Sequence, residues 1–170
     1  IEESYEKNKI NRLTNFIKNG EVQQENEFEI INENEFIELR EIGIGSDFCV
    51  KLIYHIEKEE LFALKKPYLM YDNEIEKLTK REIKNYYRIN HPLLPKFIGT
   101  NTNKEFIIME FINGKTLYNI KDFQLNYNEK ITIIFEIMII IEFLHRKQFI
   151  FRDLKPSNIM LDTNKTAVLI

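Results

Sequence analysis

Phe151-Arg152-Asp153-Leu154-Lys155-Pro156-Ser157-Asn158 sets a carboxylate, an amine and a carboxamide at steps of two and three residues within one short segment. Such a set packs poorly into a core, because each charged or polar group would need its own partner away from water. It suits the positioning of a hydroxyl, a phosphate and a metal ion. A charged, proline-containing surface loop accounts for each residue singly but not for the set. Just before it, the apolar run from Ile131 to Leu144, broken by Glu136 and Glu142, is shorter than the ~20 residues a membrane-spanning helix needs. It predicts a buried helix over Asn128 to Arg146. After the loop, a short hairpin is expected to end at Ile170.

Upstream of Asn113-Gly114 the pattern is that of strands. Phe36 to Ile42, Val50 to His55 and Leu61 to Lys66 predict an antiparallel meander, with Gly43 to Ser46 and Glu57 to Glu60 as turns. Ile75, Leu78, Glu82, Tyr86 and Ile89 fall along one side of a helix over Asp72 to Ile89, which His91-Pro92 stops. Two more strands, Lys96 to Gly99 and Glu105 to Phe111, complete an expected small lobe of five strands and one helix. Residues 1–33 read as a polar extension and linker, with Ile10, Leu13, Phe16 and Ile17 on one helical face. The fold class is α+β, with a second, mainly helical lobe begun after Gly114.

Two further groups carry chemistry. Gly43-Ile44-Gly45 between two strands lets backbone N–H groups approach phosphate oxygens, although an ordinary hairpin uses the same residues. Lys65 closes the apolar run Phe62-Ala63-Leu64, and alone it would be a solvated edge residue. Glu82 gives it another reading, for it stands 17 residues later on the inner face of the following helix. Such a pair at about 4 Å gains about 4 kcal/mol at an effective dielectric near 20, before desolvation.

Taken in order, these elements resemble the eukaryotic protein kinase family, whose signatures are a glycine-rich loop, an Ala-x-Lys strand, a helix glutamate and a His-Arg-Asp-x-x-x-x-Asn loop. The resemblance covers about Phe36 to Ile170, with an N-lobe over 34–112 and the start of a C-lobe over 113–170. It implies ATP and Mg2+ as ligands. Gly43 and Gly45, with Ile42 and Ile44 beside them, would cover the phosphates, Lys65 would hold the α- and β-phosphates, and Glu82 would orient Lys65. Adenine would lie between Val50 and Ala63 on one side and Met160 on the other, with Met109 as gatekeeper and backbone bonds from Glu110 and Ile112. Asp153 would be the catalytic base, Lys155 the partner of the γ-phosphate and Asn158 a magnesium ligand. Arg152 would pair with a phosphorylated activation loop. The family places its metal-binding aspartate next at position 171, so residues 1–170 alone are expected to be inactive. The run Asp-Leu-Lys-Pro-Ser-Asn resembles the serine/threonine members.

Two departures bear on activity. Asp47 and Phe48 stand where the family usually has an aromatic residue and its third glycine, and Phe151 replaces the loop histidine. They motivate a competing reading as a pseudokinase, a nucleotide-binding or scaffolding module without chemistry. A small-molecule kinase with the same lobes is a third. A formal charge of −3 from 24 basic and 27 acidic residues argues against a nucleic-acid or anionic-membrane partner. The resemblance to the kinase family implies ATP and a protein substrate as partners. The single cysteine, Cys49, cannot form an intrachain disulfide, and no secretory signal is visible, so the cytoplasm is the default location.

Overall fold

Period-two alternation decides which side chains each strand buries. The computed structural model describes residues 28–45, 47–68, 73–122 and 124–170. The helical face predicted through Ile10, Leu13, Phe16 and Ile17 lies outside the described residues. The chain divides into a sheet unit, described over 28–45, 47–68, 73–90 and Lys96–Phe111, and a helical unit, described over His91–Pro95, 112–122 and 124–170.

In the sheet unit, β1 (Glu29–Ile30), β2 (Phe36–Ile44), β3 (Phe48–His55), β4 (Glu60–Pro67), β5 (Phe97–Thr100) and β6 (Ile107–Glu110) form a six-stranded sheet in the order β1-β5-β6-β4-β3-β2. The predicted meander is β2-β3-β4, antiparallel throughout. The expected five strands become six, because Glu29–Ile30, read as linker, pairs parallel to β5. The reason is tertiary. Gly99 lacks a side chain that, as a Cβ, would sit 2.3 Å from the Glu29 carbonyl oxygen, so the backbones can meet. Ile31 follows, its N–H donating to the Thr100 carbonyl at 2.9 Å and its side chain fully buried. Such burial contributes about 2 kcal/mol.

One face of the sheet collects Ile53, Phe62, Leu64 and Ile108, together with Ile31, Phe36 and Phe106. On the other face Ile107 and Phe97 pack with Ile83 of α1 (Asn73–Tyr86), flanked by Tyr86, Tyr87 and Met109. The helix therefore turns a slightly different side inward than its periodicity predicts. Thr79 and Ile83 are the buried residues, Glu82 and Tyr86 lie half-buried beside them, and Leu78 is exposed.

In the helical unit the chain does not pass directly into helix after Gly114. β7 (Gly114–Thr116) comes first and pairs with β8 (Ile159–Asp162), which pairs with β9 (Ala167–Leu169). Gly114 is required there, since a Cβ would approach the Leu161 carbonyl oxygen to 2.1 Å. A 3-10 segment (Leu117–Asp122) leads to α2 (Tyr127–Arg146). Asn126 caps α2 reciprocally: its Oδ1 accepts the Glu129 N–H at 2.9 Å, and Glu129 Oε2 accepts the Asn126 N–H at 2.7 Å.

The expectation of a buried helix holds for only one side of α2. Ile133, Ile140, Phe143 and Leu144 are buried, whereas Ile134, Phe135 and Met138 are more than half exposed. The buried Glu136 accepts the Ala167 N–H at 2.8 Å and so ties α2 to β9. Among the described residues no helix is long and apolar enough to cross a membrane.

Candidate functional site

Register places the sheet unit's candidates together. Val50 stands opposite Lys65, Lys65 opposite Ile107, and Ala63 opposite Met109, so Val50, Ala63, Lys65 and Met109 share one face. This is the face against which α1 packs. Lys65 Nζ donates to Glu82 Oε1 at 2.7 Å and to Oε2 at 2.9 Å, with the two side chains 24% and 29% exposed. The lysine is thus held in a forked pair while part of its side chain stays exposed. Phe48 lies diagonally across from Lys65 on the same face, and its ring centroid is 4.8 Å from Nζ. A cation so placed gains about 0.5–1 kcal/mol from the ring.

Ile42, Gly43 and Ile44 end β2, with Gly43 opposite Val50 and Ile44 opposite Cys49. The Gly45 N–H donates to the Phe48 carbonyl at 2.8 Å, and Ser46 lies outside the described residues. Ile42 is half-buried and Ile44 is exposed. Glu110 ends β6 and is tied twice to Lys96. Its N–H donates to the Lys96 carbonyl at 2.8 Å, and its carboxylate accepts the Lys96 N–H at 3.0 Å.

The helical unit carries the second group. Lys155 is extended at φ −151 and ψ 159 and opens a 3-10 turn over Pro156–Asn158, with the Asn158 N–H donating to the Lys155 carbonyl at 2.9 Å. Proline suits the first helical position, where its missing N–H costs nothing. The turn brings the Asn158 amide back onto Asp153: Nδ2 donates to the Asp153 carbonyl at 2.8 Å and to Oδ2 at 2.9 Å. Lys155 Nζ lies 2.7 Å from the same Oδ2. These neighbours hold the Asp153 carboxyl below its usual range, the Lys155 hydrogen bond most strongly and that of Asn158 next, against a small desolvation cost. The Asn158 carbonyl in turn accepts the Ile170 N–H at 2.9 Å, which fastens the loop to the end of β9. Met160 is half-buried on β8, and Ile112 is buried.

The structure therefore assembles Lys65 with Glu82 in one unit and Asp153, Lys155 and Asn158 in the other. Phe48 was singled out by sequence only as a departure from the family pattern. Its place beside Lys65 follows from strand register, a signal that needs the pairing of β3 with β4. Among the described residues no group of three or more His, Cys, Asp or Glu side chains could hold a metal ion.

The protein kinase domain family matches residues 36–170. A probable serine/threonine-protein kinase of Dictyostelium discoideum is 35% identical over 137 residues, covering 76% of this chain and 22% of that protein. The cAMP-dependent protein kinase type 3 of Saccharomyces cerevisiae is 31% identical over 140 residues, covering 77% of this chain and 34% of its own length. The serine/threonine-protein kinase sgk-1 of Caenorhabditis elegans is 29% identical over 143 residues, covering 80% of this chain and 31% of its own. The chain belongs to the protein kinase family. It spans about a fifth to a third of the length of these curated relatives.

Proposed function

We propose that the protein containing these residues transfers the γ-phosphoryl group of ATP to serine or threonine hydroxyls of a protein substrate. The observation that carries this reading is the Asp153 carboxylate, held below its usual range and oriented by Lys155 and Asn158 within one turn. In phosphoryl transfer the protein chiefly positions groups and stabilises charge. Asp153 aligns the attacking hydroxyl and takes its proton. Lys155, with its ammonium beside that carboxylate, offsets negative charge on the transferred group. Lys65, steered by Glu82, holds the α- and β-phosphates.

Gly43 and Gly45, with Ile42 and Ile44, are assigned to the phosphate loop. Val50, Ala63, Met109, Glu110, Ile112 and Met160 are assigned to the adenine. Asn158 fits a magnesium ligand, because its Nδ2 is spent on Asp153 and its carboxamide oxygen is the hard donor that Mg2+ prefers. When bound, the metal would neutralise phosphate charge. Cys49, a buried free thiol, suits the reducing interior of the cytoplasm.

The test is Asp153→Asn in the full-length protein. ATP affinity by titration calorimetry should be nearly unchanged while turnover falls by about 10²-fold or more. A matched loss of both would make Asp153 structural. The Phe48 ring beside Lys65 favours a second reading, a nucleotide-binding pseudokinase. That reading predicts ATP binding with no phosphoryl transfer by the unmutated full-length protein.

A further inference from the structure

β1 is short for a strand, yet the structure builds a place for it from several directions. Gly99 leaves room for the Glu29 carbonyl, and Ile31 enters the core on one face of the sheet. On the other side of this segment the Phe28 ring stands 4.5 Å from Tyr87, edge to face, and 6.0 Å from Phe97, stacked. Phe97 also stacks on Tyr86 at 5.5 Å, and it meets Tyr87 at 5.7 Å. Phe28 therefore completes an aromatic cluster that joins β5 to the last turn of α1 and to the residue just beyond it. Glu82 lies one turn earlier on the same side of the helix as Tyr86. The two are close enough that burial first, and the Glu82 charge second, push the Tyr86 hydroxyl well above the usual phenol range.

We propose that residues 28–31 act as a strap that positions Glu82, by holding the C-terminal end of α1 against β5 and so keeping the carboxylate on Lys65. This rests on the kinase reading for its effect on activity. The strap itself does not depend on that reading. Phe28 and Ile31 are positioning residues, for neither touches Lys65 or Glu82 in the described contacts. The segment and the chain just beyond it are also tied to the β3–β4 turn. Lys58 Nζ pairs with the Glu29 carboxylate, and the Ile56 N–H donates to the Glu35 carbonyl at 2.9 Å. A segment fixed to the β3–β4 turn and to β5 can restrain the helix rather than merely cover it.

The experiment compares Phe28→Ala, Phe28→Tyr and Gly99→Ala in the full-length protein, using amide hydrogen exchange and steady-state kinetics. The Gly99 variant excludes the strand without altering any ring. Amides in the last turns of α1 should exchange about tenfold faster in Phe28→Ala and Gly99→Ala, while those of β3 and β4 keep their rates. Phe28→Tyr should restore protection. Turnover should fall several-fold in the same two variants with little change in the KM for ATP. Unchanged exchange in α1, or equal acceleration in α1, β3 and β4, would overturn the strap. Absence of phosphoryl transfer by the unmutated protein would instead overturn the kinase reading and leave the exchange result to judge the strap.

Discussion

Its neighbours hold the Asp153 carboxyl below the usual range, so any pH dependence that the proposed base gives to turnover belongs to the loop and not to the residue alone. Removing the Lys155 ammonium takes away the largest cause of its lowered pKa, which should rise toward the ordinary 3.8. A depressed carboxyl loses its charge only as pH falls through the folded value. In Lys155→Met the acid limb of turnover should therefore begin at higher pH than in the unmutated full-length protein. A pH–rate profile checks this, and an acid limb that does not move would detach Lys155 from Asp153. Lys65→Met should lower turnover by about 10²-fold or more, as loss of a preorganised charge does, and unchanged turnover would remove Lys65 from the site. Lys65 was legible in sequence because a glutamate waited on the right side of the next helix. The position of Phe48 was not, since a ring two residues along the neighbouring strand from the residue opposite Lys65 is a cross-strand fact.

The meander, α1 and α2 were readable because each carries its own periodicity over many residues. β1 and β7 were not: two and three residues show no alternation. Each exists because a glycine leaves another backbone room to approach, Gly99 across from β1 and Gly114 within β7 itself. Gly114→Ala should cost about 1–3 kcal/mol by forcing β7 away from β8, measured by urea denaturation. A midpoint equal to that of the unmutated chain would mean the strand shifts freely. At the start of α2, hydrogen bonds from Lys165 first and from the Asn126 backbone second hold Glu129 below its ordinary 4.5. Its stabilising contribution is fully present above that value and is lost as pH falls through the lower folded one. Between about pH 5 and 3, Glu129→Gln should lose less stability on acidification than the unmutated chain. Parallel denaturation curves at each pH would show this, and identical acid losses would argue that Glu129 is not coupled to folding.

At the scale of the whole molecule, α2 is hydrophobic on more sides than the described residues cover. An apolar run broken by Glu136 and Glu142 says that a helix is hydrophobic but not which sides find partners. One side packs on β9, and the other leaves Ile134, Phe135 and Met138 in water. Ile137, Ile141 and Leu154 join Met138 in lining a groove on the helical unit. Residues 1–170 should therefore self-associate as concentration rises, and the double variant Phe135→Glu, Met138→Lys should shift sedimentation toward monomer. Equal sedimentation of the two would mean that this surface is not what associates. The strap has its own consequence in time. Glu29 pairs with Gly99, so a chain emerging N-terminus first offers Phe28 and Ile31 long before β5 has been made. At about 5–20 residues per second, those side chains wait several seconds before β5 is there to pair with their strand, even though the Ile31 partners Phe36 and Ile53 are made sooner. During that interval they are open to a chaperone or to a neighbouring nascent chain, and a slowed ribosome would lengthen the exposure.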